Sequence, residues 1–215
     1  MNEFKLKKYT TSTILAPDLA ILASTYGKMD AKRHPPKVEE FPDVGRAAEG
    51  GHYKYGDPFM ETLLVHMLPT IEELTGLELL ATYSFYRIYR PGDKLEIHVD
   101  RPSCEISASM CLGYNYVNLP EDYFWALWVR GDDGIDIPLN LKPGEGAIYR
   151  GEDIEHWRDP FVAPLGSWHM QAFLHYVDKN GPYTDREFDG RPGIGYEDKK
   201  EWETYIDDDG VQRYL

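Results

Sequence analysis

Apolar residues in the first third of the chain recur at helical spacing. Within residues 16–26 they fall on one face, at Leu19, Leu22, Ala23 and Tyr26. Pro17 and Asp18 suit the start of this predicted helix. The polar, proline-containing stretch from Asp30 to Gly56 predicts a loop.

A second and stronger apolar stripe runs from Phe59 to Leu74. Asp57 is a suitable N-cap, and Pro58 occupies the first helical position, where a missing N–H costs nothing. We expect Pro69 to kink or split this helix, and Gly76 to cap its C-terminus.

After Gly76 the pattern changes to β-branched and aromatic residues, typical of a pleated surface. A Pro91-Gly92 turn interrupts the first of these segments, which extends over residues 83–99. Further apolar runs are predicted as strands at Ile106–Tyr114, Tyr123–Val129, Ile135–Leu141, Ala147–Tyr149 and Trp168–Val177. Helices followed by many short strands favour a mostly β fold of the α+β kind, a barrel or sandwich with the N-terminal helices on one face.

A chain of 215 residues is long enough for one sizeable core. We divide it into an N-terminal helix and connecting loop packed on the core (1–56), a helix-plus-barrel core (57–180) and an acidic C-terminal extension (181–215). The tail from Asp185 onward is expected to be a surface extension without chemistry.

The balance of charge is acidic, with 23 basic and 37 acidic side chains and a formal net charge of −14. Such a chain is repelled by polyanions, so neither nucleic acid nor an anionic membrane is an expected partner. A local run of basic residues is interpreted as a solvated strand face: Arg87, Arg90, Lys94 and Arg101.

The two cysteines, Cys104 and Cys111, are expected to be free thiols, because a bridge between them would need a sharp reversal inside an apolar segment. We see no secretory signal and no apolar run long enough to span a membrane. The sequence therefore predicts a cytoplasmic protein. It does not indicate an oligomeric state.

His98 and Asp100 are separated by one residue in a predicted strand, so both side chains project from the same face. His156 follows a later apolar strand and can complete a set of two histidines and one carboxylate. This set leaves coordination positions open, as ferrous oxygenases require, whereas a structural zinc site has four protein ligands. A surface His-x-Asp pair that arose by chance is the alternative.

The segment Tyr89-Arg-Pro-Gly-Asp-Lys-Leu-Glu-Ile-His98-Val-Asp100 resembles the metal-binding segment of prolyl-4-hydroxylase-like Fe(II)/2-oxoglutarate-dependent dioxygenases. Residues 144–149 followed by His156, and the last strand at 168–176, are similar to the distal half of the same family. The resemblance covers about residues 57–178.

This resemblance implies a double-stranded β-helix, a jelly-roll or cupin-like barrel. It also implies that His98, Asp100 and His156 are the metal-binding and catalytic residues, with Fe(II) as cofactor and 2-oxoglutarate as cosubstrate. Tyr89 would donate to the far carboxylate of 2-oxoglutarate; a core aromatic is the alternative for this residue.

The family usually places a lysine or arginine nine or ten residues after the distal histidine, where this chain has Leu165 and Gly166. Because a buried carboxylate needs a cationic partner, Arg158 is our first candidate for this role. The alternative for Arg158 is an ion pair with Asp159 or Glu155. Other candidates are Arg150, Ser167 and His169.

The remaining candidate residues receive structural interpretations. His34, His52 and His66 are expected at the surface or in local packing, and His175 as a satisfied core residue. Arg101 is expected to support the Asp100 carboxylate or to orient substrate. An aromatic run either lines the barrel mouth or packs in the core: Tyr114, Tyr116, Tyr123, Phe124, Trp125 and Trp128.

The sequence thus predicts a dioxygenase that hydroxylates an unactivated C–H bond, uses O2, and converts 2-oxoglutarate to succinate. The substrate is a peptidyl side chain, such as a prolyl group, or a small molecule. Two alternatives stay open: a non-catalytic jelly-roll binding module, and a cupin-like metalloenzyme that does not use 2-oxoglutarate.

Overall fold

The computed structural model describes Phe4, residues 8–34 and residues 52–196, together with the backbone of two short paired strands, Thr204–Ile206 and Gln212–Tyr214. Two α-helices occur in these ranges: α1 (Pro17–Arg33) and α2 (Pro58–Thr75). The strands before the two paired ones are β1 (Tyr9–Thr13), β2 (His52–Tyr55), β3 (Leu79–Tyr89), β4 (Leu95–His98), β5 (Ile106–Asn115), β6 (Leu127–Arg130), β7 (Asp136–Leu139), β8 (Glu145–Arg150), β9 (His156–Arg158) and β10 (Trp168–Asp178). Short 3-10 segments lie at Pro102–Cys104 and Thr184–Gly190.

Helix α2 forms as its sequence predicts. The Asp57 side chain accepts hydrogen bonds from the backbone N–H groups of Phe59 and Met60, and Gly76 ends the helix in the left-handed conformation. Of the two outcomes expected at Pro69, a kink or a split, the split does not occur, because one continuous helix spans Pro58–Thr75.

Helix α1 is longer than predicted, because residues 30–33 belong to it rather than to a loop. Asp30 is buried and accepts hydrogen bonds from Tyr86 Oη at 2.6 Å and Lys54 Nζ at 3.2 Å. These hydrogen bonds pair the buried carboxylate of Asp30, a polar residue at which the sequence predicted the start of a loop. Strand β2 also replaces part of the predicted loop, and residues 35–51 lie outside the described residues.

Strands β1 to β10 pair antiparallel, in a six-stranded sheet of order β1-β8-β5-β10-β3-β2 and a four-stranded sheet of order β4-β9-β6-β7. One face of the large sheet packs against both helices and forms the main apolar core. Because side chains alternate, its other face carries Tyr83, Phe85, Arg87 and Tyr89 of β3. These four side chains line the main cavity.

The predicted strand at Tyr123–Val129 is shorter than expected, since β6 begins at Leu127. The Trp125 carbonyl oxygen accepts from the Arg158 guanidinium at 2.7 Å, and the Trp125 indole donates to the Asp159 carbonyl oxygen at 2.9 Å. Side-chain hydrogen bonds thus hold this segment. Within the described ranges, no helix is long and apolar enough to cross a membrane.

Candidate metal centre and adjoining cavity

The structure brings His98, Asp100 and His156 together at one point. Strands β4 and β9 pair with His98 opposite His156, and their rings lie 4.2 Å apart between centroids. Asp100 Oδ1 is 3.6 Å from His98 Nε2 and 3.5 Å from His156 Nε2. The three candidate ligand atoms all lie within 4.8 Å of one another. A single ion can therefore be held by all three.

Backbone hydrogen bonds orient both imidazoles. His98 Nδ1 donates to the Glu96 carbonyl oxygen at 2.8 Å, and His156 Nδ1 donates to the Ile154 carbonyl oxygen at 2.9 Å. A ring nitrogen bonded to a carbonyl carries the proton, so the lone pair of each neutral ring is on Nε2. This is the tautomer that a metal ligand needs.

Asp100 is held by its backbone and by one carboxylate oxygen. Its N–H donates to the Gly151 carbonyl oxygen at 2.8 Å, and its Oδ2 accepts from Ser107 Oγ at 2.7 Å. A Cβ at Gly151 would lie 2.3 Å from the Cys104 carbonyl oxygen and 2.5 Å from Asp100 Oδ2. The close approach of these segments therefore requires glycine at position 151.

The two histidines keep Asp100 ionised. Burial raises the pKa of Asp100, but the close contacts with His156 and His98 outweigh it and hold this pKa well below its usual range. Burial lowers the pKa of His98, but the close contact with Asp100 prevails and raises it. The Asp100 carboxylate thus supplies a negative charge at the point where a metal cation would bind.

A second set of candidate ligands, Asp100, Cys104 and His175, also lies within 4.8 Å. Its members are already hydrogen bonded: Cys104 Sγ is 3.0 Å from Tyr83 Oη, and His175 Nδ1 is 2.9 Å from Ser107 Oγ. Burial raises the pKa of the Cys104 thiol, which disfavours the thiolate that binds metal. The set of His98, Asp100 and His156 is the better candidate.

A cavity of about 600 Å³ adjoins the three candidate ligands. It combines an aromatic wall with charged groups, a composition typical of small-molecule sites. Besides the three ligands it is lined by Tyr55, Tyr83, Phe85, Arg87, Tyr89, Leu95, Arg101, Tyr149, Phe173, His175, Asp185, Arg186, Asp189 and Gly190.

Arg87 faces this cavity and is only 1% exposed, so the prediction that it lies on a solvated strand face is wrong. Its Nη2 is 3.3 Å from Asp93 Oδ1, but Nε and Nη1 have no hydrogen-bond partner among the described residues. The guanidinium lies 4.4 Å above the Tyr89 ring. Each unpaired buried donor costs about 1–3 kcal/mol, so this side chain is suited to an anionic ligand.

Arg158 is also buried but does not line the cavity. Its Nη1 donates to the Trp125 carbonyl oxygen at 2.7 Å and its Nη2 to Gln171 Oε1 at 3.0 Å, while no described residue pairs with its Nε. The described ion pairs do not include one with Asp159 or Glu155, the alternative considered for Arg158.

The other candidates for the missing cation have partners elsewhere. Arg150 is 3.6 Å from Glu105, Ser167 Oγ accepts from the Val117 N–H, and His169 Nε2 donates to Gln171 Oε1 at 2.9 Å. Leu165 is 90% exposed in the turn before β10, so the usual family position faces away from the barrel.

Arg101 does not support Asp100, contrary to one prediction. Its two Nη groups donate to the two carboxylate oxygens of Asp189, at 2.8 and 2.7 Å. Asp189 is 6% exposed and also accepts from Tyr55 Oη at 2.7 Å. Asp185, Arg186, Asp189 and Gly190 line the cavity, so the start of the tail is not the simple surface extension that was expected.

The remaining histidines have the structural roles expected of them. His175 is buried and bonded to Ser107, and His66 lies exposed on α2. His52 packs locally, with Nε2 2.8 Å from Tyr86 Oη, and His34 lies 2.9 Å from Asp30. Both cysteines are free and buried, as predicted.

The aromatic run does not line the cavity, so its interpretation as barrel mouth is wrong. Three members build an aromatic cluster with Tyr89 and Phe161, namely Tyr116, Tyr123 and Trp125. Trp128 stacks on Trp157, with 6.1 Å between ring centroids.

Fold and site together define an antiparallel jelly-roll barrel with two histidines and one aspartate clustered beside a cavity. No sequence-family profile and no curated protein matches the chain. Solved structures do match in fold. A Pseudomonas putida prolyl-4-hydroxylase has 17% identity and a TM-score of 0.59, over 81% of this chain and 96% of that one.

Two further solved structures extend this similarity. The non-haem alpha-ketoglutarate-dependent carbocyclase SnoK of nogalamycin biosynthesis has 11% identity and a TM-score of 0.64, over 91% of each chain. EctD from S. alaskensis, solved with 2-oxoglutarate and 5-hydroxyectoine, has 14% identity and a TM-score of 0.58, over 90% of this chain and 84% of that one. The predicted double-stranded β-helix fold of the Fe(II)/2-oxoglutarate oxygenases is confirmed.

Proposed function

We propose that this protein is an Fe(II)- and 2-oxoglutarate-dependent oxygenase in which His98, Asp100 and His156 hold the ferrous ion. The observation that carries the proposal is the convergence of both Nε2 atoms on Asp100 Oδ1 beside a cavity, in a fold shared with enzymes of that class. Two imidazoles and one carboxylate suit ferrous iron and leave positions for other ligands. When bound, iron with 2-oxoglutarate and O2 supplies the oxidising chemistry, and succinate is the coproduct.

Arg87 and Tyr89 are proposed to bind the far carboxylate of 2-oxoglutarate. Both line the cavity, and Arg87 has two nitrogen donors, Nε and Nη1, that pair with no group in the described part of the chain. A guanidinium suits a carboxylate because it can donate two parallel hydrogen bonds. The contacts favour Arg87 over Arg158, whose two Nη groups are already engaged by Trp125 and Gln171.

The substrate is proposed to be a small molecule rather than a peptidyl side chain. The cavity of about 600 Å³ lies within the range of small-molecule sites, roughly 300–1,000 Å³. Part of its lining comes from Asp185, Arg186, Asp189 and Gly190 of the same chain, which leaves less room for an extended peptide. Phe85, Phe173 and Tyr149 provide an apolar wall that keeps water from the reacting C–H.

Hydroxylation is the proposed outcome. The fold also occurs in a carbocyclase and in an epimerase of nogalamycin biosynthesis, so the fold does not determine which C–H reaction follows. In this chain Asp100 is proposed to occupy the coordination position that a halide would need for halogenation.

Anaerobic titration with ferrous ion and then 2-oxoglutarate tests the proposal. We expect a weak visible charge-transfer band to appear on addition of 2-oxoglutarate to the ferrous protein, and to be absent in Asp100→Ala. A cupin-like metalloenzyme would bind iron without this band, and a non-catalytic binding module would bind no iron. Either result would overturn the proposal.

A further inference from the structure

We infer that Ser107 and His175 form a hydrogen-bonded relay that positions Asp100, so that only its Oδ1 is presented to a metal ion. This inference rests on the proposed metal centre. Ser107 Oγ lies 2.7 Å from Asp100 Oδ2 and 2.9 Å from His175 Nδ1. Ser107 and His175 are positioning residues, because neither belongs to the proposed set of iron ligands.

The direction of the relay follows from the number of protons. Ser107 has one hydroxyl proton, and Oγ also lies 3.1 Å from the Cys104 carbonyl oxygen. The carboxylate is the nearer and the charged acceptor, so the hydroxyl donates to Asp100 Oδ2. His175 Nδ1 then carries a proton and donates to Ser107 Oγ.

Burial makes the relay rigid. Ser107 is 1% exposed and His175 5% exposed, and the His175 ring packs 4.5 Å from the Tyr83 ring. Gly151 lies against the same carboxylate, where any Cβ would clash with Asp100 Oδ2. Ser107 on one side and the Gly151 backbone on the other thus fix the rotation of the carboxylate.

The orientation has a consequence for the metal centre. Oδ1 faces both histidine Nε2 atoms, while Oδ2 is occupied by the Ser107 hydroxyl. A carboxylate that binds a metal ion through one oxygen takes up one coordination position of that ion. The position that its second oxygen would occupy stays open for other ligands. The Ser107 hydroxyl also joins Asp100 and His175, two members of the second candidate set.

Ser107→Ala tests the relay, with Co(II) as the probe and Ser109→Ala as the matched control. Ser109 lies two residues further on β5 and is buried, but it accepts from Gln171 Nε2 at 2.9 Å instead of contacting Asp100. Loss of such an outer partner costs about 10- to 100-fold in metal affinity. We expect Ser107→Ala to weaken Co(II) binding by this factor and to change the Co(II) absorption spectrum, with Ser109→Ala like the wild type.

His175 provides a second test if Ser107→Ala fails to fold. His175→Asn keeps a side-chain N–H donor and should preserve Co(II) affinity, whereas His175→Leu should weaken it. Wild-type Co(II) affinity and spectrum in both Ser107→Ala and His175→Leu would overturn the relay. A thiolate-to-cobalt charge-transfer band in the wild type would also overturn it, because it would place the ion at Cys104. Failure of the wild type to bind Co(II) would instead overturn the proposed function.

Discussion

The two halves of the barrel interior differ in how their buried polar groups are hydrogen bonded. The closed half, formed by Ser109, Tyr116, Arg158, His169 and Gln171, is a connected hydrogen-bond network. The open half contains the three candidate ligands, Arg87 and Tyr89, and it surrounds the cavity. Apart from Arg158 Nε, the buried polar groups of the closed half are paired with one another or with nearby backbone, whereas the open half keeps donors and acceptors for a ligand.

His169 is an example of a buried polar side chain in the closed half whose hydrogen-bonding atoms both have protein partners. Its Nδ1 is 2.8 Å from Tyr116 Oη and its Nε2 is 2.9 Å from Gln171 Oε1. Burial, reinforced by the nearby Arg158 charge, lowers the pKa of His169 well below its usual value, so the ring is neutral. A buried histidine with both nitrogens occupied is structural, while His98 and His156 each keep one nitrogen facing Asp100.

Removal of a ligand in the open half should have the largest effect. We expect His98→Ala or Asp100→Ala to reduce succinate release coupled to O2 uptake by roughly a thousandfold or more, the equivalent of the several kcal/mol that a metal ion supplies. The control is His169→Gln in the closed half, which should lower stability and still bind one ion. Full turnover in either ligand variant would contradict the metal assignment.

The two buried arginines provide the sharpest form of the comparison. Arg87→Met should weaken 2-oxoglutarate binding to the metal-loaded protein by roughly 30-fold or more, because a buried carboxylate would lose its cationic partner. Arg158→Met should lower the melting temperature and change this affinity only a few-fold. Isothermal titration calorimetry of both variants measures the two 2-oxoglutarate affinities. The reverse pattern would show that Arg158, and not Arg87, binds the far carboxylate.

A single methyl group added at Gly151, in the open half, should weaken metal binding by displacing Asp100. Gly151→Ala places a Cβ against Asp100 Oδ2 and the Cys104 carbonyl oxygen, so we expect metal affinity to fall by about tenfold or more. Gly193→Ala is the control, because among the residues that the structure describes its Cβ would meet only the Tyr196 ring, at 3.5 Å. Equal metal affinity in both variants, measured by competition with a chelator, would show that Gly151 has no part in placing Asp100.

The smallest expected effect concerns Asp189 in the cavity lining. Burial raises the pKa of Asp189, but the hydrogen bonds from Arg101 outweigh it and lower this pKa to about 2. The folded value lies below the unfolded value of about 3.9, so this stabilisation is present above about pH 4 and is lost as the pH falls toward 2.

Asp189→Asn should therefore lower the melting temperature at pH 7 by about 2–4 °C, the equivalent of roughly 1 kcal/mol, with a smaller difference at pH 3. Asp185→Asn is the exposed control. A pH-independent difference, measured by thermal unfolding at both pH values, would contradict an electrostatic role for Asp189.

Local patterns predicted much of the fold and the proposed ligands. Asp57 and Gly76 cap α2 by contacts within a few residues. The close spacing of His98 and Asp100 keeps the two side chains together, although β4 ends at His98 and Asp100 follows the strand. The alternation of side chains along a strand could have identified Arg87, which lies two residues before Tyr89 and so shares its face. Its positive charge instead suggested that the side chain is exposed to solvent.

Other features depend on contacts far apart in sequence, which no local pattern contains. Arg101 meets Asp189 across 88 residues, and the backbone at Asp189 has a positive φ of 55° that a non-glycine residue rarely adopts. The last turn of α1 is likewise fixed by Asp30 contacting Tyr86, 56 residues away. Such tertiary contacts override the local preference of polar residues for loops.

Crystals grown without oxygen in the presence of Mn(II) and 2-oxoglutarate would test the central claim most directly, through the anomalous signal of the metal. The account predicts one peak within bonding distance of His98 Nε2, Asp100 Oδ1 and His156 Nε2, with the far carboxylate of 2-oxoglutarate on Arg87. A peak between Cys104 and His175, or no ordered metal beside His98 and His156, would contradict it.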